Sequence, residues 1–194
     1  MGSATMRVAG LVVGVGLALS ACTGPPDADP SPPGQPTSAA PSPPSPSPSG
    51  PAKPERPDAM KRKDAKGAAA AAEYFIELYP YVMATGDTEE FEAMSHRACG
   101  FCEDVLDDIA RFQGKGQTYD GGSAKGTILV SYTRDQLTGI YPFDMSIQQQ
   151  ASAVVDATGK EVSAEGYSTS EVRIEIGMRA DSWIVVELAS TPEG

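Results

Sequence analysis

The stretch Ala68-Ala-Ala-Ala-Ala-Glu-Tyr-Phe-Ile-Glu-Leu-Tyr-Pro-Tyr-Val-Met-Ala-Thr-Gly86 decides how the folded part of this chain begins. It lies in a region, Lys61 to Ala84, that is rich in alanine and long unbranched residues, which favour helix. Apolar residues recur there at spacings of three and four, which predicts one buried stripe: Ala68, Ala72, Phe75, Tyr79, Val82 and Met83. Pro80 lacks an N–H and should bend the last turns, and Gly86 should end the helix as a left-handed cap.

Two shorter helices are expected after this cap. The first runs from Glu89 to Ser95, begins at a cap provided by Asp87 or Thr88, and has Phe91 and Met94 as its apolar side. The second runs from about Cys102 to Phe112, with inward residues at helical spacing: Val105, Leu106, Ile109 and Phe112.

Beyond the Gly-rich stretch 114–126 the apolar period changes to two, which is typical of strands. Strands are expected at 127–132, at 143–155 up to a turn at 156–159, at 172–178 and at 183–188. The last is apolar on both faces, which predicts a place in the middle of the sheet or under helices. Helices followed by a four-stranded antiparallel meander indicate the α+β class.

Charge and proline content divide the 194 residues further. The chain has 15 Lys+Arg against 26 Asp+Glu, a net charge of -11, which argues against a nucleic-acid partner. Most of its 17 prolines precede Asp58, and residues 23–58 hold few large apolar side chains. Such a segment cannot offset its ordering entropy, so we expect a disordered, extended tether there and a globular domain at 59–194. A Pro-rich docking motif is the alternative for the tether.

The amino terminus has the order of a secretory signal: Arg7, an apolar run from Val8 to Leu19, then small residues. The run is too short for a membrane-spanning helix. Its end, Leu19-Ser-Ala-Cys22, resembles the lipobox of bacterial lipoproteins. The resemblance implies that residues 1–21 are removed and that the Cys22 thiol carries a diacylglycerol. The expected location is then the extracytoplasmic face of the cell membrane, with the membrane as a partner through the lipid anchor; an ordinary signal peptide with an incidental cysteine is the alternative.

Cys99 and Cys102 are the cysteines that remain. Outside the cytoplasm they should form a disulfide that pins the bend between the second and third helices. One alternative is thiol redox chemistry, since a Cys-x-x-Cys at a helix start has a lowered thiol pKa. Another is a zinc site built from His96, Cys99 and Cys102, with Glu103 or Asp104 as a fourth ligand.

The acidic residues of the third helix oppose a thiolate and are expected to form a solvated face: Glu103, Asp104, Asp107 and Asp108. The surroundings of the cysteines also lack the βαβ pattern of redox proteins.

Three segments together resemble a known family: Tyr74 to Leu78, the turn Ala84-Thr-Gly-Asp-Thr88, and Cys99 to Cys102. They are similar to an actinobacterial family of secreted lipoproteins of unknown function, in which the domain follows a Pro-rich tether. The order of elements also resembles the nuclear-transport-factor-2-like, or cystatin-like, cone. This resemblance implies N-terminal helices packed on a curved antiparallel sheet with a pocket at the open end, and it implies no activity.

The sequence shows no catalytic signature, and no cofactor or metal is expected. The predicted function is a non-catalytic module that binds a small apolar ligand in the cone or an envelope protein. The alternative is a small pocket enzyme of the isomerase or hydrolase type, with Tyr74, Tyr81, Tyr132 and Asp144 as candidates to line its cavity. Core packing explains the three tyrosines at least as well. A buried carboxylate with a raised pKa would favour the enzyme, and a closed, tyrosine-filled interior would favour the interaction module.

Overall fold

The computed structural model describes residues 51–191. The predicted signal peptide 1–21, the lipidation site Cys22 and the predicted tether up to residue 50 lie outside these residues. A short 3₁₀ helix, Asp58–Lys61, precedes three α-helices and seven strands: α1 Ala65–Thr85, α2 Glu89–Met94, α3 Gly100–Gly114, β1 Thr118–Gly121, β2 Ala124–Ser131, β3 Tyr141–Gln149, β4 Ser152–Val155, β5 Glu161–Glu165, β6 Ser168–Arg179 and β7 Ser182–Ser190. Helices thus precede an antiparallel sheet, and the α+β class is confirmed.

Helix α1 begins at a side-chain cap. Asp64 accepts hydrogen bonds from the backbone N–H groups of Lys66 at 3.0 Å and Gly67 at 3.2 Å, so the helix begins four residues later than predicted. It continues through Pro80 and ends at Gly86, which has a φ of 70° and donates its N–H to Val82 at 2.8 Å. The predicted left-handed cap is confirmed.

The two shorter helices pack as the apolar spacing predicts. Phe91 and Met94 of α2 are buried, and the ring of Phe91 stacks on that of Phe75 with centroids 4.5 Å apart. Helix α3 begins at Gly100, two residues earlier than predicted, because the sulfur of Cys99 caps its first turn by accepting from the Cys102 N–H at 3.2 Å.

The strands form two sheets, and the predicted single meander is therefore incomplete. The larger sheet has the order β2-β3-β6-β7 and the smaller one β1-β4-β5. Three pairs of consecutive strands each contribute one strand to each sheet: β1 and β2, β3 and β4, and β5 and β6. Three long stretches of chain therefore run through both sheets. The predicted strand 143–155 is one of them, broken between Gln149 and Ser152. The remaining strands of the small sheet, β1 and β5, are mostly exposed and lack apolar alternation, which is why periodicity does not reveal them.

A pair of glycines makes the break possible. Gly121 and Gly122 have φ values of 78° and 69°. A Cβ on Gly121 would lie 2.5 Å from the Ala151 carbonyl oxygen, and one on Gly122 would lie 2.0 Å from the Tyr119 hydroxyl. The Gly122 N–H donates to Ala151 at 2.9 Å, so pairing continues across the break while the chain changes direction.

Strand β7 is covered by helices but is not central, so only the second of its two predicted positions is correct. It lies at an edge of the larger sheet, where the His96 N–H donates to the Val185 carbonyl at 2.9 Å. Trp183 is buried and donates its indole N–H to the Met60 carbonyl at 2.8 Å. No helix among residues 51–191 combines the length and apolar character needed to cross a membrane.

Candidate functional site

The four side chains that are candidates to line the cavity of a pocket enzyme do not converge. Tyr74 is buried in the core, and its hydroxyl lies 3.5 Å from the Pro54 carbonyl. Tyr81 is half-buried near the end of α1 and donates to Asp87 at 2.7 Å. Asp144 lies elsewhere, on β3 of the larger sheet, and Tyr132 directly follows β2. These four side chains therefore do not form the cavity of the enzyme alternative, and the burial of Tyr74 agrees with core packing.

Asp144 of β3 and Arg173 of β6 form an ion pair, and Tyr132, which directly follows β2, completes the cluster. Asp144 is directly opposite Arg173 in the strand register, and the guanidinium contacts both carboxylate oxygens at 2.8 and 3.1 Å. The Tyr132 hydroxyl donates to Asp144 at 2.6 Å. Hydrogen bonds from Arg173 and Tyr132 lower the pKa of Asp144. The carboxylate is therefore held ionised as a structural partner and is poorly suited to serve as a general base at neutral pH.

The aromatic site that the structure does assemble is centred on Tyr79 and Tyr119. Their ring centroids are 6.5 Å apart in an edge-to-face arrangement, and Tyr79 also lies 5.9 Å from the ring of Phe101. Gln149 fixes Tyr119 by donating to its hydroxyl at 3.2 Å. The break at Gly121 and Gly122 brings the small sheet over α1, which is how residues 40 positions apart in sequence come to be in contact.

Two small cavities flank Tyr79. One, of about 180 Å³, is enclosed by α1, α3 and the small sheet, with Met83 and Phe112 as apolar wall and Ser152 and Glu165 as polar wall. The other, of about 140 Å³, is lined by aromatic, aliphatic and polar residues: Ile76, Tyr79, Phe101, Ala124, Ile147, Gln149 and Ser170. Burial, followed by the neighbouring Tyr119, raises the pKa of Tyr79 well above its usual value. Tyr79 is therefore a neutral hydrogen-bonding group at physiological pH, suited to hold a small, partly apolar molecule.

The sequence gives unequal signals for these two tyrosines. Tyr79 is part of the predicted inward stripe of α1, although it is only half-buried. Tyr119 lies in a segment between Gly116 and Gly121 that was expected to be loop. Its burial depends on the turn made by the glycines, which has no periodic signature.

The predicted disulfide is present: Cys99 and Cys102 are bonded, and each is 2% exposed. Beside it lies an open pocket of about 460 Å³, whose wall includes His96, Glu103 and Arg179. Both sulfurs are occupied by their mutual bond, and His96 accepts from the Ala98 N–H through Nδ1 at 3.2 Å. Within residues 51–191 no group of three His, Cys, Asp or Glu side chains is arranged to hold a metal ion. These contacts describe the oxidised form, in which the cystine is a structural link at the start of α3.

The acidic residues of α3 do not gather at one site. Glu103, Asp104 and Asp107 are exposed, and Asp108 forms an ion pair with Arg111 one turn later. They lie on the solvent side of the helix, with Glu103 and Asp107 at the rim of the pocket beside the disulfide. This arrangement agrees with a solvated helix face.

Comparison with solved structures finds distant similarity. The intermembrane space region of the chloroplast protein ARC6 has a TM-score of 0.47 at 14% identity, covering 67% of this chain and 99% of that one. An uncharacterised protein with a cystatin-like fold from Caulobacter vibrioides has a TM-score of 0.37 at 13% identity, covering 65% and 92%. A periplasmic fragment of TraM has a TM-score of 0.35 at 10% identity, covering 64% and 92%.

Comparison by sequence identifies a family. The chain has no match among the curated proteins. Residues 43–189 match a family model described as a family of unknown function, DUF6318. This match begins before the predicted start of the globular domain.

Proposed function

The chain belongs to this family, DUF6318, whose function is unknown, and from that premise we propose that it is a non-catalytic interaction module of the cell envelope, anchored outside the cytoplasm by a lipid on Cys22. The family supplies no activity that could be transferred to this chain. The support therefore comes from the described domain and from the amino-terminal sequence.

The closed interior is the observation that carries the proposal. Tyr74, Phe75, Leu78, Phe143 and Met145 belong to the buried core, and none is more than 1% exposed. Ligand pockets in proteins usually measure about 300–1,000 Å³. The cavities on either side of Tyr79 are well below this range, at about 180 and 140 Å³, whereas the pocket of about 460 Å³ beside the disulfide lies open at the surface. A domain with a filled interior is best suited to bind through its surface.

The carboxyl groups also favour an interaction module over a pocket enzyme. In residues 51–191, neighbouring groups hold the pKa of seven carboxyl groups below its ordinary value: Asp58, Asp64, Asp87, Glu90, Asp135, Asp144 and Asp156. A carboxylate that acts as a general base or acid near neutral pH needs the opposite shift. The partners of these seven groups keep them ionised.

Exposed apolar side chains indicate where a protein partner binds. Leu129, Val130, Tyr132 and Leu137 are 51%, 43%, 41% and 97% exposed, and all four lie on the last part of β2 and the loop that follows. Such a concentration on a short segment is typical of an interaction surface. We therefore assign the contact with an envelope protein to residues 129–137.

The anchor is tested by Cys22→Ala. The lipobox-like end Leu19-Ser-Ala-Cys22 supports acylation, and diacyl attachment is strong enough for stable membrane association. We expect the variant to move from the membrane fraction to the soluble extracytoplasmic fraction, while Cys99→Ala/Cys102→Ala stays in the membrane fraction. A Cys22→Ala protein that still sediments with membranes would refute the anchor.

The partner surface is tested by cross-linking in intact cells. Leu129→Lys/Leu137→Lys introduces two charges into the apolar segment and should abolish a discrete cross-linked product of the wild-type protein. Val162→Lys/Tyr167→Lys is the matched control, because it also places two lysines at exposed apolar positions, 47% and 58% exposed, on and just after strand β5 of the smaller sheet. Loss of the product in both variants, or in neither, would contradict the assignment.

Small-ligand binding beside Tyr79 is the second candidate function. It is favoured by the combination of an aromatic wall with the nearly buried polar residue Ser152, which is 8% exposed. A probe the size of phenol, titrated against the protein, should then shift the NMR resonances of Tyr79 and Tyr119 in preference to those of surface tyrosines such as Tyr167. Equal shifts at all tyrosines would exclude a specific site.

A further inference from the structure

Residues 53–56, Lys53-Pro-Glu-Arg56, have no helix or strand of their own and yet are held against α1 and α2. The Lys53 ammonium lies 3.0 Å from one carboxylate oxygen of Glu90 and 3.7 Å from Asp87. The Arg56 guanidinium contacts the other oxygen of Glu90 at 2.5 Å. We call residues 53–56 the strap. Both of its cationic side chains contact the carboxylate of Glu90.

Two tyrosines complete the surface on which the strap lies. The Lys53 ammonium is 5.7 Å from the ring centroid of Tyr81, and the Arg56 guanidinium is 5.9 Å from that of Tyr74. Both distances are within the range of cation–π attraction. We call the set Tyr74, Tyr81, Asp87 and Glu90 the cradle: two aromatic faces and two carboxylates that each meet a part of the strap.

The cradle is built to hold positive charge. The Glu90 side chain is only 17% exposed. Desolvation raises its pKa, but the hydrogen bonds from Arg56 and Lys53 outweigh this effect and bring the pKa of Glu90 below its ordinary value. The strap therefore supplies both cationic partners of this carboxylate and also covers part of it.

The strap in turn is prepared for binding. Pro54 and Pro57 restrict the backbone and so reduce the entropy lost on docking, and the Pro54 carbonyl lies 3.5 Å from the Tyr74 hydroxyl. The family match includes these residues, since it begins at residue 43. The contacts show that packing begins before the sequence-based domain boundary at Ala59.

We propose that the cradle is a recognition surface for an extended, proline-containing basic segment, and that the strap is the occupant supplied by this chain. Recognition of the strap by the cradle does not depend on the proposed lipid anchor.

The first test measures the mobility of the strap by NMR in the chain carrying Cys22→Ser. The heteronuclear NOE of the Lys53, Glu55 and Arg56 amides should match that of α1. In Lys53→Ala/Arg56→Ala it should fall to the value of the exposed loop at Leu137. Lys61→Ala/Lys66→Ala is the matched control, because it also removes two exposed cations and leaves the cradle contacts in place. Wild-type values already as low as those at Leu137, or an equal fall in the control, would overturn the proposal.

The second test supplies the strap from outside. A peptide of residues 51–58 added to the Lys53→Ala/Arg56→Ala chain should shift the resonances of Glu90 and Tyr81, with a Kd no weaker than about 1 mM. A segment that stays docked when tethered must have a Kd below its effective concentration, which is in the millimolar range. The same peptide with alanine at both basic positions should bind at least about tenfold more weakly, as ionic and cation–π contacts are lost. Equal binding of the two peptides, or no binding at several times that concentration, would refute recognition. Either result leaves the Cys22→Ala fractionation unaffected, so the two proposals fail separately.

Discussion

At the scale of single residues, Asp64 determines where α1 begins. Its carboxylate bonds Arg62 and accepts from the N–H groups of Gly67 and Lys66. The bond with Arg62, together with these N–H groups, lowers the pKa of Asp64 to about 2. One side chain thus satisfies two of the donors that every helix leaves unpaired at its start.

Asp64→Ala should lower the Tm by a few degrees at neutral pH, because the helix loses its cap. A carboxyl group whose pKa is lower in the folded state stabilises above its unfolded value of about 3.9, and this contribution is lost as the pH falls through the folded value of about 2. The difference in Tm between wild type and variant should therefore shrink as the pH is lowered from 5 towards about 2.

The matched control for this prediction is Asp58→Ala. Asp58 is also an exposed acid paired with a neighbouring cation, Lys61, but it begins no α-helix. Thermal unfolding followed by circular dichroism should show a smaller decrease in Tm for Asp58→Ala than for Asp64→Ala at neutral pH. An equal loss would mean that charge alone, and not the cap, accounts for the effect of Asp64.

At the scale of elements, the break between the two sheets decides the shape of the aromatic site. It separates β1 from β2 at Gly122 and β3 from β4 at Gln150, and it places Tyr119 against Tyr79. The sequence predicts the long strand 143–155 but not its interruption, because the interruption depends on glycine backbone angles and on a neighbouring strand. Side-chain periodicity reports neither.

Gly122→Ala should destabilise the protein by about 2 kcal/mol or more, since it combines a left-handed backbone with a Cβ 2.0 Å from the Tyr119 hydroxyl. Gly159→Ala is the control: it has a φ of 81° but open space around its Cβ, so it should cost only about 1 kcal/mol. Urea unfolding of both variants measures the difference. If the two cost the same, the close approach to Tyr119 has no energetic weight.

At the scale of the whole molecule, Trp183 links two parts of the domain that are far apart in sequence. Its indole donates to the Met60 carbonyl across 123 positions of sequence and lies in edge-to-face contact with Tyr141, at 5.9 Å. The bond ties the short helix before α1 to the final strand. It therefore couples the region of the strap to the sheet.

Trp183→Phe keeps an aromatic ring but leaves the Met60 carbonyl without its donor. We expect a loss of about 1–3 kcal/mol, the range for an unsatisfied buried polar group. Tyr167→Phe, on a side chain that is 58% exposed, should change the free energy of unfolding very little. Chemical denaturation measures the free energy of unfolding of both variants. An unchanged value for Trp183→Phe would show that the indole contributes by packing alone.

The sequence by itself determined the features that depend on neighbours along the chain. The course of α1, its end at Gly86, the buried Phe91 and Met94, and the α+β order follow from spacing and from glycine and proline chemistry within a few residues. The lipobox at Cys22 is equally local, and it stays a prediction because it lies outside residues 51–191.

Only the tertiary structure decided which distant surfaces meet. The packing of Tyr119 on Tyr79, the ion pair of Asp144 with Arg173, and the docking of Lys53 on Glu90 each join residues about 30 to 40 positions apart. The physical reason is that such contacts arise when the break in the sheet and the helix ends bring faces together in space. A one-dimensional pattern records which side of an element is apolar, but not what lies opposite it.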